Sequence, residues 1–205
     1  MTASVPVHSI VLASASPRRL ELLRSLGLEV EVVISDYDEP ELPGVAPIEV
    51  ARRHAREKLE RTAFPENSGR IVVAADTVVD VDGDALGKPR DASEAAAMLR
   101  RLSGRTHRVH TAFALAIPGR ETIEEVASTS VRFYTLEPDE IDEYVATGEP
   151  LDKAGAYGIQ GRAAALVEGI DGDFYTVMGF PLARFVRALR RSGFTLPGSK
   201  ETALE

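Results

Sequence analysis

The sequence predicts an α/β fold, an elongated mixed β-sheet flanked by helices. Two observations carry this. Apolar runs of the buried-strand type alternate with stretches of helical periodicity, the order of βαβ units with parallel strands. Turn signals, Asp82-Gly83 and Asp171-Gly172, interrupt that order, so the sheet must also hold antiparallel pairs. The 205 residues fit a single domain over 1–198, with a flexible tail at 199–205.

Residues 10–13 (Ile-Val-Leu-Ala) are a continuous apolar run, read as a buried strand. Leu20, Leu22, Leu23 and Leu26 then recur at helical spacing. Between them, Ser16 suits an N-cap and Pro17 the first helical position, where a missing N–H costs nothing. Arg18 and Arg19 thus fall in the first turn, where cations oppose the helix dipole. A bound anion reverses that sign. Free backbone N–H groups, the Ser14 and Ser16 hydroxyls and two guanidinium forks can all meet it. Ser14 to Arg19 is therefore either a phosphate-binding turn or an ordinary helix start with two surface arginines.

Gly27 ends this helix. Residues 29–34 read as a strand and 35–40 as an acidic loop. Residues 46–61 form a helix with an apolar stripe of Ile48, Val50, Ala51, Ala55 and Leu59; its other faces carry Arg52, Arg53, His54, Arg56 and Lys58 as a solvated surface. Residues 70–75 read as a second buried strand that delivers Asp76 and Thr77 at its carboxyl end, where open α/β sheets bind ligands. Residues 78–81 and 85–88 pair around Asp82-Gly83. Asp91 caps a helix with Glu94 in the reciprocal position, and Gly104 stops it. Residues 106–117 and 124–134 are strands separated by Pro118-Gly119, and 139–147 is a short acidic helix. Residues 151–161 are glycine-rich and irregular. Residues 163–168 and 174–178 are expected to pair around Asp171-Gly172. Residues 181–192 form the last helix, with Leu182, Phe185, Val186 and Leu189 inward.

A formal net charge of −8 disfavours a nucleic-acid surface, so a polyanionic ligand would need a local basic pocket. The absence of cysteine removes disulfides and thiolate metal sites. No apolar run approaches the roughly 20 residues that cross a bilayer, and residues 1–7 lack the basic segment and apolar core of a secretory signal. A cytoplasmic protein without membrane or nucleic-acid partners is expected.

Several templates fail. There is no phosphate-loop motif and no Gly-x-Gly-x-x-Gly after a strand. Asp80 to Asp84 misplaces the glycine of a calcium loop and puts Asp91 where a glutamate belongs. His107 and His110, three apart in a strand, face opposite sides and cannot share a metal. No Gly-x-Ser-x-Gly supports a serine hydrolase. What remains is a set of complementary charges at element ends. Arg18, Arg19, Lys58 and Lys88 can meet a polyphosphate, while Asp76 and Glu39 can hold a divalent cation or activate water. Oxygen ligands without cysteine or paired histidine suit magnesium or manganese. Such a set fits attack of water on phosphorus. Each residue also has an ordinary role open to it, Asp76 as a turn cap and Lys88 as an exposed hairpin lysine.

Ser14-Ala15-Ser16-Pro17-Arg18-Arg19, Glu39, residues 51–58, Ala74-Ala75-Asp76-Thr77, Lys88-Pro89, Ser103-Gly104-x-x-His107 and the run Asp152 to Gly161 (Asp-Lys-Ala-Gly-Ala-Tyr-Gly-Ile-Gln-Gly) together resemble the Maf family of nucleoside triphosphate pyrophosphatases, in order from about residue 10 to 189. The resemblance implies the fold of the inosine-triphosphate pyrophosphatases, two lobes with a central cleft. It also implies hydrolysis of a nucleoside triphosphate to monophosphate and pyrophosphate with a divalent cation (Mg2+ or Mn2+). By position, Asp76 resembles the family's proton acceptor, and Ser14, Arg18, Arg19, Lys58 and Lys88 its phosphate-side residues. Glu39, with Asp76, matches the metal carboxylates, and Arg18, Thr77 and Gln160 match positions tied to substrate choice. The run from Asp152 resembles the branch acting on dTTP, UTP and modified pyrimidine nucleotides in nucleotide-pool house-cleaning. A homodimer is compatible with the resemblance. Met178-Gly179-Phe180-Pro181 departs from the usual Val-Gly-Leu-Pro, and Leu86-Gly87-Lys88 from an acidic residue before the lysine. The alternatives are a pyrophosphatase for 7-methyl-GTP or another base, and a non-enzymatic regulator of septum formation or cell division.

Overall fold

The computed structural model describes residues 5–62 and 69–198; the tail expected at 199–205 lies outside them. Nine strands are described: β1 (Val5–Pro6), β2 (Ser9–Ala13), β3 (Glu29–Val32), β4 (Val72–Val81), β5 (Asp84–Leu86), β6 (Thr106–Ala116), β7 (Ile123–Phe133), β8 (Val167–Asp171) and β9 (Phe194–Thr195). The helices are α1 (Pro17–Arg24), α2 (Pro47–Glu60), α3 (Ala92–Leu102), α4 (Pro138–Ala146), α5 (Phe174–Met178) and α6 (Leu182–Arg191). The main sheet runs β3-β2-β4-β6-β7-β8, with β5 on β4, and β1 pairs separately with β9. The β2–β3 and β2–β4 pairs are parallel, and every other pair in the main sheet is antiparallel, the mixture expected.

β4 is the central strand, and it does not stop before Asp76 as the apolar run suggests. Its parallel partner β2 matches only Val72 to Ala74. On the opposite edge β6 continues the ladder from Val72 to Asp80, so the backbone stays extended past the acidic residue. β5 joins β2's side of β4 only from Val79. Among the described residues no strand pairs that edge between 75 and 78. Asp76 and Thr77 lie mid-strand, yet just beyond the carboxyl end of β2.

Strand alternation gives the sheet two apolar faces. On one, Ile10, Leu12, Val73, Ala75, Phe113 and Leu115 pack with Leu22, Leu23, Phe180, Phe185 and Leu189. Further along the same face Val79, Val81, Val109 and Val131 pack with Leu99, Leu102, Ile141 and Tyr157. These two clusters are the cores of the two lobes. On the other face α2 lays Val50, Ala51 and Ala55 over Val78 and Ala112. The buried side of α2 is wider than its apolar stripe: His54 and Lys58 also lie buried on it, rather than on a solvated surface. Lys58 follows His54 by one turn and reaches Asp76, so burial is offset by pairing.

The second expected hairpin does not form. Residues 161–166 are a short 3-10 segment, and β8 pairs with β7 instead. After Gly172 the chain turns into α5 because Asp173 accepts hydrogen bonds from the Thr176 N–H and hydroxyl, both at 2.8 Å, a helix start that the Asp-Gly signal obscures. The Asp82-Gly83 hairpin does form, with both residues at positive φ, as a two-residue turn requires. The glycine-rich stretch is a string of short 3-10 segments. Among the described residues no helix is long and apolar enough to cross a membrane.

Candidate active site

A cleft of about 1350 Å³ opens where β4 runs on without β2. Ser14, Arg18, Arg19, Glu39, Lys58, Asp76, Thr77, Lys88 and Gln160 all line it, so the fold gathers every residue singled out in the sequence.

The β2–α1 turn forms as read. The Ser16 side chain accepts from the Arg19 N–H as N-cap, with Pro17 at the first helical position. Arg19 then turns inward and is 8% exposed. Its Nε donates to the Gly179 carbonyl at 2.9 Å, Nη1 to Ser14 Oγ at 3.1 Å and Nη2 to Thr77 Oγ1 at 3.0 Å. Thr77 Oγ1 lies 2.9 Å from Thr111 Oγ1, and Thr111 donates to the Thr176 carbonyl at 2.7 Å. Since Thr111 spends its proton on the Thr176 carbonyl, Arg19 donates to Thr77, Thr77 to Thr111 and Thr111 to that carbonyl. Ser14 Oγ also accepts from the Ser16 N–H at 3.2 Å, which leaves its own proton for another acceptor. Burial lowers the Arg19 pKa from its usual value, and Asp76 and Glu39 oppose that.

On the α2 side of β4, Lys58 Nζ lies 2.6 Å from Asp76 Oδ1 and 2.8 Å from Glu39 Oε1. Lys58 and Asp76 are buried. Burial alone would raise the Glu39 pKa, but Lys58, with Lys88 and Arg19 farther off, holds that carboxyl below its usual value. Strand alternation sends Asp76 and Thr77 to opposite faces, so β4 serves the Lys58 cluster with one side chain and the Arg19 fork with the other.

The opposite wall is different. Lys88 and Gln160 are exposed, and among the described residues neither makes a side-chain hydrogen bond or ion pair. The segments that carry them are fastened together: the Gly155 N–H donates to the Gly87 carbonyl at 3.0 Å. Gly155 has φ +66°, and a Cβ there would meet Val79 at 2.7 Å, so a side chain at this position would force the wall apart. Behind it, the Tyr157 hydroxyl and His107 Nε2 lie 2.7 Å apart, with both rings edge-on to Phe133. Arg18 reaches across the cleft to Asp152 at 3.3 Å, and Asp152 also holds Lys153 at 2.6 Å. Of the unusual residues at 178 and 180, Met178 lines the cleft, whereas Phe180 is buried against Phe113 and Phe185.

Sequence reasoning did not single out Tyr37, His54 or Asp152 as site residues. The 54, 58, 61 spacing along α2 and its C-cap is the available signal for the second. For a divalent cation, no cluster of three or more His, Asp or Glu is present among the described residues. The convergence of Glu39 and Asp76 on one ammonium nevertheless fits a magnesium- or manganese-type site. Such ions take one or two carboxylates and complete their shell with phosphate oxygens and water.

A family model described as Maf-like protein matches residues 9–192. A protein of Symbiobacterium thermophilum named dTTP/UTP pyrophosphatase is 48% identical over 190 residues, covering 93% of this chain and 97% of that one. One of the same name from Geobacter sulfurreducens is 50% identical over 185 residues, covering 90% and 96%. Among solved structures, a HAM1 protein from Coxiella burnetii aligns over 90% of this chain and 100% of its own, at 17% identity and a TM-score of 0.47. With the family model spanning both lobes and the cleft between them, the chain belongs to the Maf family.

Proposed function

We propose that the chain hydrolyses nucleoside triphosphates, dTTP and UTP foremost, to the nucleoside monophosphate and pyrophosphate, and that residues 1–198 act as one unit in doing so. The observation that carries this reading is the pairing, on one cleft floor, of the Glu39–Lys58–Asp76 cluster with the Ser14–Arg19 turn. The name shared by relatives at 48% and 50% identity supports the same substrates.

On this reading Asp76 accepts a proton from the water that attacks the α-phosphorus. The new P–O bond forms as the bridging P–O bond to the β-phosphate breaks, and pyrophosphate leaves with the electron pair. Lys58, Ser14, Arg18, Arg19 and Lys88 meet the phosphate oxygens; because Lys58 and Arg19 are already oriented, they need no rearrangement as charge develops. Glu39 and Asp76 would hold a magnesium or manganese ion, which when bound neutralises charge on the phosphate oxygens. Gln160, with a donor and an acceptor on one amide, suits the imide edge of uracil or thymine. Arg18 and Thr77 complete the residues assigned to substrate choice.

The test is a nucleotide panel with product identification, with and without magnesium or manganese. Pyrophosphate release from dTTP and UTP is expected. Orthophosphate release overturns the bond assignment, and preference for 7-methyl-GTP overturns the base assignment. A cell-division effect that survives Asp76→Asn would mark a role independent of hydrolysis.

A further inference from the structure

Positions 54, 58 and 61 of the α2 region are spaced four and three apart and share one stripe. Lys58, in the middle, holds Glu39 and Asp76. Its two neighbours both hold Tyr37. His54 Nδ1 lies 2.9 Å from the Tyr37 hydroxyl, and His54 is buried. The Arg61 guanidinium sits 5.2 Å from the centroid of the Tyr37 ring, on the arm that also pairs with Glu57. Tyr37 and Glu39 are two residues apart in a loop without regular structure, so the loop docks on α2 at two points.

Glu39 needs that docking. Its φ is +51°, a left-handed conformation that persists in a non-glycine residue only where the surroundings hold it. The Glu39 side chain is 39% exposed, and an ion pair open to water contributes little by itself. The buried imidazole, the phenol and the stacked guanidinium are the firmer attachment.

We propose that Tyr37 and His54 are positioning residues: their hydrogen bond, with Arg61 over the ring, holds the loop so that Glu39 faces Asp76 across Lys58, and so sets how tightly the two carboxylates take a divalent cation. This rests on the cation site assigned above. The test is Mn2+ binding by the full chain, followed by loss of the free-ion electron paramagnetic resonance signal, first without nucleotide and then with α,β-methylene-dTTP as a non-hydrolysable triphosphate, against the loss the analogue causes without protein. Glu39→Gln should weaken binding most. Tyr37→Phe keeps the ring and its Arg61 contact, and should weaken binding about fivefold, the net worth of one hydrogen bond; His54→Gln serves as the second variant on the same bond. In turnover the Mn2+ concentration for half-activation should rise by the same factor in Tyr37→Phe, and excess Mn2+ should restore the rate. Weaker binding in Glu39→Gln with wild-type binding in both Tyr37→Phe and His54→Gln overturns the proposal alone. Equal binding in wild type and Glu39→Gln overturns the cation site, and the proposal with it.

Discussion

On the wall made by the β2–α1 turn, α2 and β4, Ser14, Arg19, Lys58 and Asp76 are 9, 8, 7 and 5% exposed and already bonded in two pairs, Arg19 to Ser14 and Lys58 to Asp76. On the wall made by the β4–β5 hairpin and the 152–160 segment, Lys88 and Gln160 stand in solvent, without such bonds among the described residues. The two walls face one cleft on different physical terms. A buried, mutually bonded charge cannot be removed without leaving its partner desolvated. An exposed side chain loses only what it gives the ligand. Substitutions on the first wall should therefore show in folding and turnover together, and those on the second in binding alone.

The largest effect is expected at Asp76. Asp76→Asn removes the proposed proton acceptor and weakens the pair with Lys58, so the rate of pyrophosphate release should fall by roughly 10³ or more. Thermal unfolding should also shift downward, since Lys58 keeps only the half-exposed Glu39. A variant with near-wild-type turnover would break the comparison at its centre.

Arg19→Ala sharpens the same side. It strips donors from the Gly179 carbonyl, Ser14 and Thr77 at once and leaves a cavity beside buried acceptors. A loss of about 3–5 kcal/mol in unfolding free energy is expected from denaturant titration. A loss under about 1 kcal/mol would mean that water replaces the fork, and that this wall is as open as the other.

The unequal legibility of the two walls in the sequence has a physical cause. The Ser14-to-Arg19 turn and the Asp82-Gly83 hairpin are written in adjacent residues: a cap, a proline and a positive-φ pair. Asp76 was identified as a site residue but misplaced in its strand, because what extends β4 is its pairing with β6, thirty and more residues later. From the helix pattern alone Lys58, a phosphate-side candidate, and His54 read as solvated because polarity marks a surface unless a partner from another element is known, and those partners are Asp76, Glu39 and Tyr37. The 163–178 hairpin failed for a similar reason. Asp171-Gly172 is a turn in either case, and β7 claims the strand before it. The Gly155 constraint rests on the distant Val79, so only the glycine count was visible.

The back of the open wall supplies the next prediction. His107 is 2% exposed, its Nδ1 has no hydrogen-bond partner among the described residues, and burial lowers its pKa from 6.5 to about 4. Between those two values the unfolded chain binds a proton that the folded chain refuses, so stability should fall as pH drops through that window. The full effect is about 3 kcal/mol, lost progressively as pH falls from near 6.5 to near 4 and absent above it. Tm measured against pH should drop less steeply in His107→Phe than in wild type across that range. Parallel profiles would show that water reaches the imidazole, and that the wall is loose behind as well as in front.

Gln160 gives the smallest effect and the finest distinction. Gln160→Ala removes an exposed side chain with no hydrogen bond among the described residues, so Tm should stay within about 1 °C of wild type. The loss should appear only with ligand: roughly tenfold in kcat/KM for dTTP and UTP, against much less for triphosphates whose bases lack the imide edge. The loss should fall on discrimination, because the proposed phosphate contacts, Lys88 apart, come from the other wall and are common to every substrate. An equal loss across all bases would make Gln160 a phosphate-side or loop-shaping residue. It would also move base selection to Arg18 and Thr77, which bridge to Asp152 and to the buried wall. Base choice would then sit wholly beside the chemistry, with Thr77 on the strand that also bears Asp76.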